Sequence, residues 1–324
     1  MEVPVQVRYI RITAEQAGQR IDNLLLRELK GVPKSRIYRL LRRGEVRVNG
    51  GRSDPSYKLA VGDEVRLPPV RVSEHDAAAP PPGKRLLALL EAAIVYEDST
   101  LLALNKPAGV AVHGGSGVRH GVIEGLRALR PEAPFLELVH RLDRDTSGLL
   151  LVAKQRSRLR ELHELLRNQK VEKRYLALLA GSLPRGPVPV EAALDRFQAG
   201  GERLMRVADS GRAARSVFRA VERFRGATLA EVRIDTGRMH QIRVHARHIG
   251  HPVIGDDKYG EREINKAFRQ VGVRRLFLHA SGLVLPRQDG KPLELSAPLP
   301  QDLEDVLVRL RIREEEHGEQ YRQE

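Results

Sequence analysis

The 324-residue chain contains no cysteine, which removes disulfide frameworks, thiolate nucleophiles, iron–sulfur clusters and cysteine-based zinc sites together. Any metal would have to be held by His, Asp or Glu. Long hydrophobic runs are also missing. No window reaches the roughly 18–20 apolar residues of a membrane span, and Met1–Ile10 lacks a basic start followed by an apolar signal core. A cytoplasmic protein away from the membrane is therefore expected. Acidic residues are in the minority, 42 against 56 Lys+Arg, for a formal net charge of +14, and a surplus of that size points to a polyanion, nucleic acid above all. With 41% hydrophobic and 30% charged residues, the composition is globular, and the length suits about two domains.

The positive surplus is uneven, since residues 1–71 hold 15 basic and 8 acidic residues. This front end closes at 73–85, SEHDAAAPPPGKR, where three consecutive prolines forbid a helix and favour an extended spacer. The expected organisation is a first domain over 1–72, a linker over 73–85, a second domain over 86–310, and a frayed polar tail over 311–324. Within the first domain, Ile21, Leu24, Leu25 and Leu29 are spaced for a helix that Gly31 stops. Pro33 suits the start of a second helix over 34–43, buried through Ile37, Leu40 and Leu41. Arg36, Arg39 and Arg43 share one face of that helix. Residues 45–49 alternate like a strand that turns at Gly50-Gly51, and 57–67, with Gly62-Asp63 in a turn, reads as further short strand. Between Arg27 and Arg47 stand 8 basic and 2 acidic residues, a self-repelling stretch that an RNA or DNA backbone would relieve. Lys34, Arg36, Arg39, Arg42, Arg43 and Arg47 are its candidate phosphate contacts.

The two short helices followed by Arg42-Arg43-Gly44-Glu45-Val46-Arg47-Val48-Asn49-Gly50 resemble the small RNA-binding domain named after ribosomal small-subunit protein four, over residues 18–68. The second domain alternates elements. Strands are read near 93–96, 101–105, 149–153, 175–180, 215–221, 228–234 and 283–285, and helices near 123–129 and 156–168. Strands outnumber helices and hairpin-length turns are frequent, so the fold class is α+β on a mixed, largely antiparallel sheet.

Chemistry concentrates in 139–154, VHRLDRDTSGLLLVAK. A polar turn holding Asp143 and Asp145 between arginines opens into a strand too apolar to be anything but buried. Arg141 and Arg144 beside Asp143 favour its charged form, which suits a nucleophile or base; Asp145 reads better as part of a capped turn with Thr146 and Ser147. For Asp143 the residues alone leave a structural turn as an even alternative. The histidines at 240, 245, 248 and 251 invite a metal reading, but Arg243 and Arg247 would repel a divalent ion. Met239, Ile242, Ala246 and Ile249 instead give the apolar stripe of a helix closed by Gly250, with Gln241, Arg243, His245 and His248 on its remaining surface. Gly114–Gly117 reads as a turn rather than a phosphate loop. Asp143-Arg144-Asp145 with Gly255-Asp256-Asp257 admits a magnesium-dependent phosphatase, and the basic front end alone admits a non-catalytic ribosome-assembly factor.

The string His140-Arg141-Leu142-Asp143-Arg144-Asp145-Thr146-Ser147-Gly148 resembles the signature of the pseudouridine synthases that modify ribosomal and transfer RNA. Three further family segments follow the same order. They are Asn105-Lys106-Pro107 with Gly109 and His113, then Lys173 to Leu178, then Gly237 to His245, in which Met239 stands where Thr is usual. Stretches at 30–50, 68–72, 113–117 and 121–131 resemble members acting on large-subunit ribosomal RNA. The resemblance implies a monomeric enzyme that needs no cofactor, nucleotide or metal. It makes Asp143 the catalytic carboxylate, Tyr175 the aromatic that stacks on the target uracil, Arg243 the basic partner of the aspartate and Arg141 the residue that enters the RNA and displaces the base.

Overall fold

The computed structural model describes residues 6–29, 32, 34–70, 81–115, 118–287 and 290–323, and for Lys34 and 317–323 the backbone only. Gly31 and Pro33, expected at the junction of the first two helices, and Ser116 and Gly117 of the glycine-rich turn lie outside the described residues, as do residues 73–80 of the expected 73–85 linker, whose Lys84 and Arg85 instead begin a helix. The chain divides into Met1–Pro81 and Pro82–Glu324.

The first unit runs β1 (Arg8–Arg11), α1 (Ile21–Glu28), α2 (Lys34–Arg43), β2 (Arg47–Val48), β3 (Gly51–Arg52) and β4 (Glu64–Leu67). Its antiparallel sheet has the order β1-β4-β2-β3. Leu24 and Leu25 of α1, Ile37 and Leu41 of α2, and Val46 and Val65 are buried together, which is what the apolar spacing demands. Of the strand expected over 57–67, only the part after the expected Gly62-Asp63 turn forms, as β4. The cause is the Asp63 carboxylate, which accepts from Ala60 N at 2.8 Å, Asn49 Nδ2 at 2.8 Å and the Tyr57 hydroxyl at 3.1 Å and bends the chain before β4.

The second unit begins with α3 (Lys84–Ala92), β5 (Ile94–Glu97), β6 (Leu101–Lys106), α4 (Val122–Leu129), β7 (Glu137–Leu138), β8 (Ser147–Ala153), α5 (Arg156–Arg167) and β9 (Glu172–Ala180). It continues with β10 (Pro187–Glu191), β11 (Leu194–Ala199), β12 (Glu202–Val207), β13 (Arg215–Phe224), β14 (Ala227–Ile234), α6 (Gln241–His248), α7 (Arg262–Arg269), β15 (Leu278–Leu285), β16 (Leu293–Ser296) and α8 (Gln301–Gln323). The main sheet is ordered β10-β13-β14-β9-β15-β8-β6-β5, with β16 on β15 and β7 on β8. β8 and β15 run parallel, and the other pairs are antiparallel. The α+β class read from the sequence is the observed one.

The C-terminal tail differs from expectation. Residues 311–323 continue α8 instead of fraying. Arg311 Nε and Nη2 hold Glu222 at 2.9 and 2.8 Å, and the Arg225 N–H donates to Glu314 at 2.5 Å. α8 is seated by the buried Leu303, Val306, Leu307 and Leu310, and these polar contacts extend its anchorage to β13 and its turn beyond that apolar face.

Candidate active site

All seven residues of β8 are buried, because β6 and β15 flank the strand and layers cover both faces. Its second residue, Gly148, has φ of +111°, and an added Cβ there would strike the Ala280 carbonyl of β15. This close approach sets the loop over 139–146 at the mouth of the sheet. The loop closes through Thr146 N–H on the Asp143 carbonyl at 3.2 Å. It is also held from beneath, for the wholly buried Lys106 ammonium donates to the carbonyls of Pro107, Val110 and Arg144 at 2.8, 2.9 and 3.0 Å. Burial pushes the Lys106 pKa down to about 7, with Asp145 and Asp143 opposing.

Asp143 meets a second pair of elements across the cavity. Arg243 of α6 approaches it with Nη1 3.4 Å from Oδ2. The guanidinium is fixed on its other edge by the buried Asp256, with Nε–Oδ2 and Nη2–Oδ1 both at 2.7 Å, and lies 5.0 Å from the Tyr259 ring centroid. Burial would raise the Asp256 carboxyl, but the Arg243 bonds and the N–H groups of Lys258 and Tyr259 outweigh it and hold it below the usual range. Arg243 thereby keeps one donor for Asp143 while the fork is locked.

His240 caps α6 in the left-handed region, φ +54°, a conformation that costs a non-glycine residue unless its surroundings impose it. Those surroundings are on hand. The Tyr259 hydroxyl accepts from Met205 N–H of β12 at 2.9 Å and lies 2.7 Å from His240 Nδ1. When it donates to Nδ1, the neutral imidazole carries its proton on Nε2, 3.7 Å from Asp143 Oδ2. Burial first, then Arg243 and Lys258, lower the His240 pKa against the pull of Asp143.

Asp143, Arg243, His240 and Tyr175 line one cavity of about 110 Å³. Tyr175 is half-buried on β9, and burial with the charge of Asp143 pushes its hydroxyl well above the ordinary tyrosine range, so it is a neutral phenol at any physiological pH. Arg141 is exposed on the rim with no ion-pair partner among the described residues.

Two local expectations change. Arg144 turns away to donate to the Gly109 carbonyl at 3.2 Å, so the cation paired with Asp143 stands 100 positions along the chain rather than beside it. Gln241, Arg243 and His245 are buried, not spread over an outer surface. Each of these three buried polar side chains finds a partner, with His245 between Ser216 Oγ and the Ala192 carbonyl at 3.0 Å each, while Arg247 and His248 remain exposed. Gln241, the first residue of the helix, ties down the loop before it, its Oε1 accepting from Arg238 N–H at 3.0 Å and Thr236 Oγ1 at 2.8 Å. No side-chain hydrogen bond caps α6 among the described residues, and Met239 packs towards Val244 and Tyr259.

Asp256, Tyr259, His240 and Lys106 were not singled out from the sequence as site residues. Asp256 entered only as a magnesium ligand of the phosphatase reading, and its carboxylate is committed to Arg243. The signal that could have found it is its place after a glycine and before another acid, too polar for a residue only 1% exposed.

In the first unit, Arg39, Arg42, Arg43 and Arg47 are exposed and Arg36 is half-buried, while the Lys34 side chain lies outside the described residues. Arg43 is only 3.9 Å from Glu45, and Arg47 donates to the Gly44 carbonyl at 3.2 Å, bracing the turn after α2.

Comparison with known proteins matches two family descriptions to the chain, RNA pseudouridylate synthase over residues 100–248 and S4 domain over residues 19–65. The ribosomal large subunit pseudouridine synthase C of Escherichia coli (strain K12) is 52% identical over 309 residues, 94% of this chain and 97% of that protein. Its Yersinia pestis counterpart is 53% identical over 307 residues, 94% and 96% respectively. Among solved structures, human RNA pseudouridylate synthase domain containing 4 aligns with a TM-score of 0.58 and 25% identity, covering 70% of this chain and 96% of that one. The Asp143 cavity lies largely within the first matched span, and a chain so similar over nearly its whole length belongs to the RNA pseudouridylate synthase family, with an S4 domain at its N-terminal end.

Proposed function

We propose that this pseudouridine synthase isomerises uridines of large-subunit ribosomal RNA, with Asp143 as the catalytic carboxylate. The observation that carries the reading is a carboxylate held by Arg243 in a small cavity that also presents Tyr175. In the reaction the N1–C1′ bond of the target uridine breaks, the base rotates, and a C5–C1′ bond forms; C5 gives up a proton and N1 gains one, so the net change is zero. An ionised carboxylate beside the sugar stabilises the positive charge that builds as the base leaves, or adds to the sugar or the base and is released when the base rejoins. Arg243 orients Asp143. Tyr175 stacks its ring on the uracil and, being neutral, serves as a surface and hydrogen-bond donor rather than as a phenolate base. Arg141, exposed and unpaired on the rim, enters the RNA where the target base swings out.

Residues 1–72 supply affinity through Lys34, Arg36, Arg39, Arg42, Arg43 and Arg47, and 86–310 supply the chemistry across the 73–85 linker. The enzyme acts as a monomer in the cytoplasm, off the membrane; no helix among the described residues is long and apolar enough to cross one. The test maps pseudouridine in ribosomal RNA from cells lacking the protein, then restores wild type or Asp143→Asn. Large-subunit positions should lose the modification and regain it with wild type alone. An unchanged map, or restoration by Asp143→Asn, would overturn the proposal.

A further inference from the structure

A second and larger cavity, about 460 Å³, shares Arg141, Tyr175, Ile234, Gly237 and Arg238 with the catalytic one. Its deep wall is apolar, with Leu162, Val171 and Leu285 at 0%, 2% and 0% exposed. Within that wall sits an ammonium. Lys173 is 8% exposed, lines the cavity, and donates to the Asp235 carbonyl at 3.0 Å. Two of its three donors have no partner among the described residues. At the mouth, Arg141, Arg167 and Arg238 are exposed.

We infer that this cavity is a second base-binding subsite, which takes an unpaired nucleobase flanking the target uridine in the same RNA strand. The inference rests on the functional reading above and adds a determinant of which uridines are chosen. A flat base satisfies apolar walls with its faces. The buried ammonium is matched by a ring acceptor, such as a pyrimidine carbonyl oxygen or guanine O6 and N7. A phosphate fits less well, because the apolar wall would strip its hydration and return few hydrogen bonds; phosphates on either side of the base belong with the rim arginines instead. Lys173 itself argues for an incoming acceptor. Burial lowers its pKa with only Asp235 opposing, so an ammonium with one bond is poorly compensated until a ligand supplies the others. Arg141 walls both cavities, so a side chain that fills the gap left by the target base also separates that base from its neighbour.

The experiment uses the full-length protein and a short RNA carrying a mapped target uridine, with each flanking nucleotide in turn made abasic. Pseudouridine formation is followed for wild type, Lys173→Met and the cavity-filling Leu166→Trp. At one flanking position, loss of the base should slow wild type roughly 10- to 100-fold in kcat/KM, the scale of one base stacked on protein. Lys173→Met should slow the intact RNA by a similar factor yet leave the rate on that abasic RNA unchanged, and Leu166→Trp should do the same if Lys173→Met fails to fold. Equal slowing by the variants on every RNA would reduce Lys173 to a structural role and overturn the subsite, as would indifference of wild type to every flanking base. No pseudouridine from wild type on the intact RNA would instead overturn the functional reading, and the subsite with it.

Discussion

The arginines of α2 and its following turn and the buried Arg243 of α6 are the same side chain put to opposite uses. Arg39, Arg42 and Arg43 stand in solvent, with a single 3.9 Å approach to Glu45 among them. Arg243 is 5% exposed and has Asp256 at 2.7 Å on one edge and Asp143 at 3.4 Å on the other. Exposed pairs of this kind contribute little to stability, so nothing in the fold requires the first set to be where it is, whereas a buried guanidinium stripped of its carboxylate is severely penalised. A charge kept where it stabilises nothing is available to a ligand; a charge locked on both edges can only position its neighbour.

The strongest way to break this contrast is at the centre of the buried network. Asp143→Asn preserves shape, so RNA affinity should stay within about twofold while pseudouridine formation falls roughly 10⁴-fold or more, the range for loss of a group that acts on the reacting atoms. Single-turnover assays with saturating RNA measure it, and retained turnover, or the same loss on Asp145→Asn, would move the assignment.

Next comes the outer edge of the same network. Asp256→Asn leaves Arg243 buried against a neutral amide and should destabilise the protein by about 3–5 kcal/mol. Urea unfolding measures this, and at temperatures where the variant remains folded kcat should drop with KM little changed, because Asp143 loses its orientation rather than the RNA its contacts. A variant with wild-type stability would show that Arg243 does not depend on its fork.

Replacing Arg39, Arg42, Arg43 and Arg47 together with Ala tests the other side of the comparison. If all four reach phosphates, the log–log salt slope of RNA binding should flatten by ~3, at ~0.7 per contact, while turnover at saturating RNA recovers. Stability should move by no more than about 1 kcal/mol, and most of that at Arg47, which braces its turn. An unchanged salt slope would return this face to ordinary solvated surface.

The last effect, negligible at neutral pH and growing only on acidification, concerns stability. His279 is 0% exposed, and burial depresses its pKa to about 4 from an ordinary 6.5. Its folded pKa lies below the unfolded one, so between those values the unfolded state binds the extra proton and stability is lost as pH falls. The loss approaches ~1.4 kcal/mol per pH unit in that window. Tm should therefore decline below pH 6.5, and His279→Gln, which can still bridge Ser147 and the Ala297 carbonyl, should decline less steeply. The remaining slope would belong in part to His140, whose pKa burial also lowers to about 4.

How far the sequence could be read depended on how locally each feature is encoded. α2 forms over Lys34–Arg43 as expected, because its buried residues repeat with the helical period and Gly44 follows with φ of +67°. β8 was legible for a similar reason, since six apolar or small residues in a row have few alternatives to a buried strand. Asp143 stood out through the motif around it. What the sequence by itself determined is thus the basic front end, the α+β class and those elements whose periodicity or turn chemistry is complete within about ten residues, with the signature turn carried by its motif; β1, α3, β10 to β12, α7, β16 and α8, which lack such a local pattern, are not legible in it. The tertiary structure alone decided which charges meet. It set Arg243 against Asp143 across 100 positions, spent Asp256 on Arg243, turned Arg144 away, buried Gln241, Arg243 and His245 of α6 and fastened the charged tail to β13. Burial and ion pairing depend on what packs against a residue from distant segments, and an arginine or aspartate bears no local sign of whether its neighbour in space will be water, a carbonyl or an opposite charge.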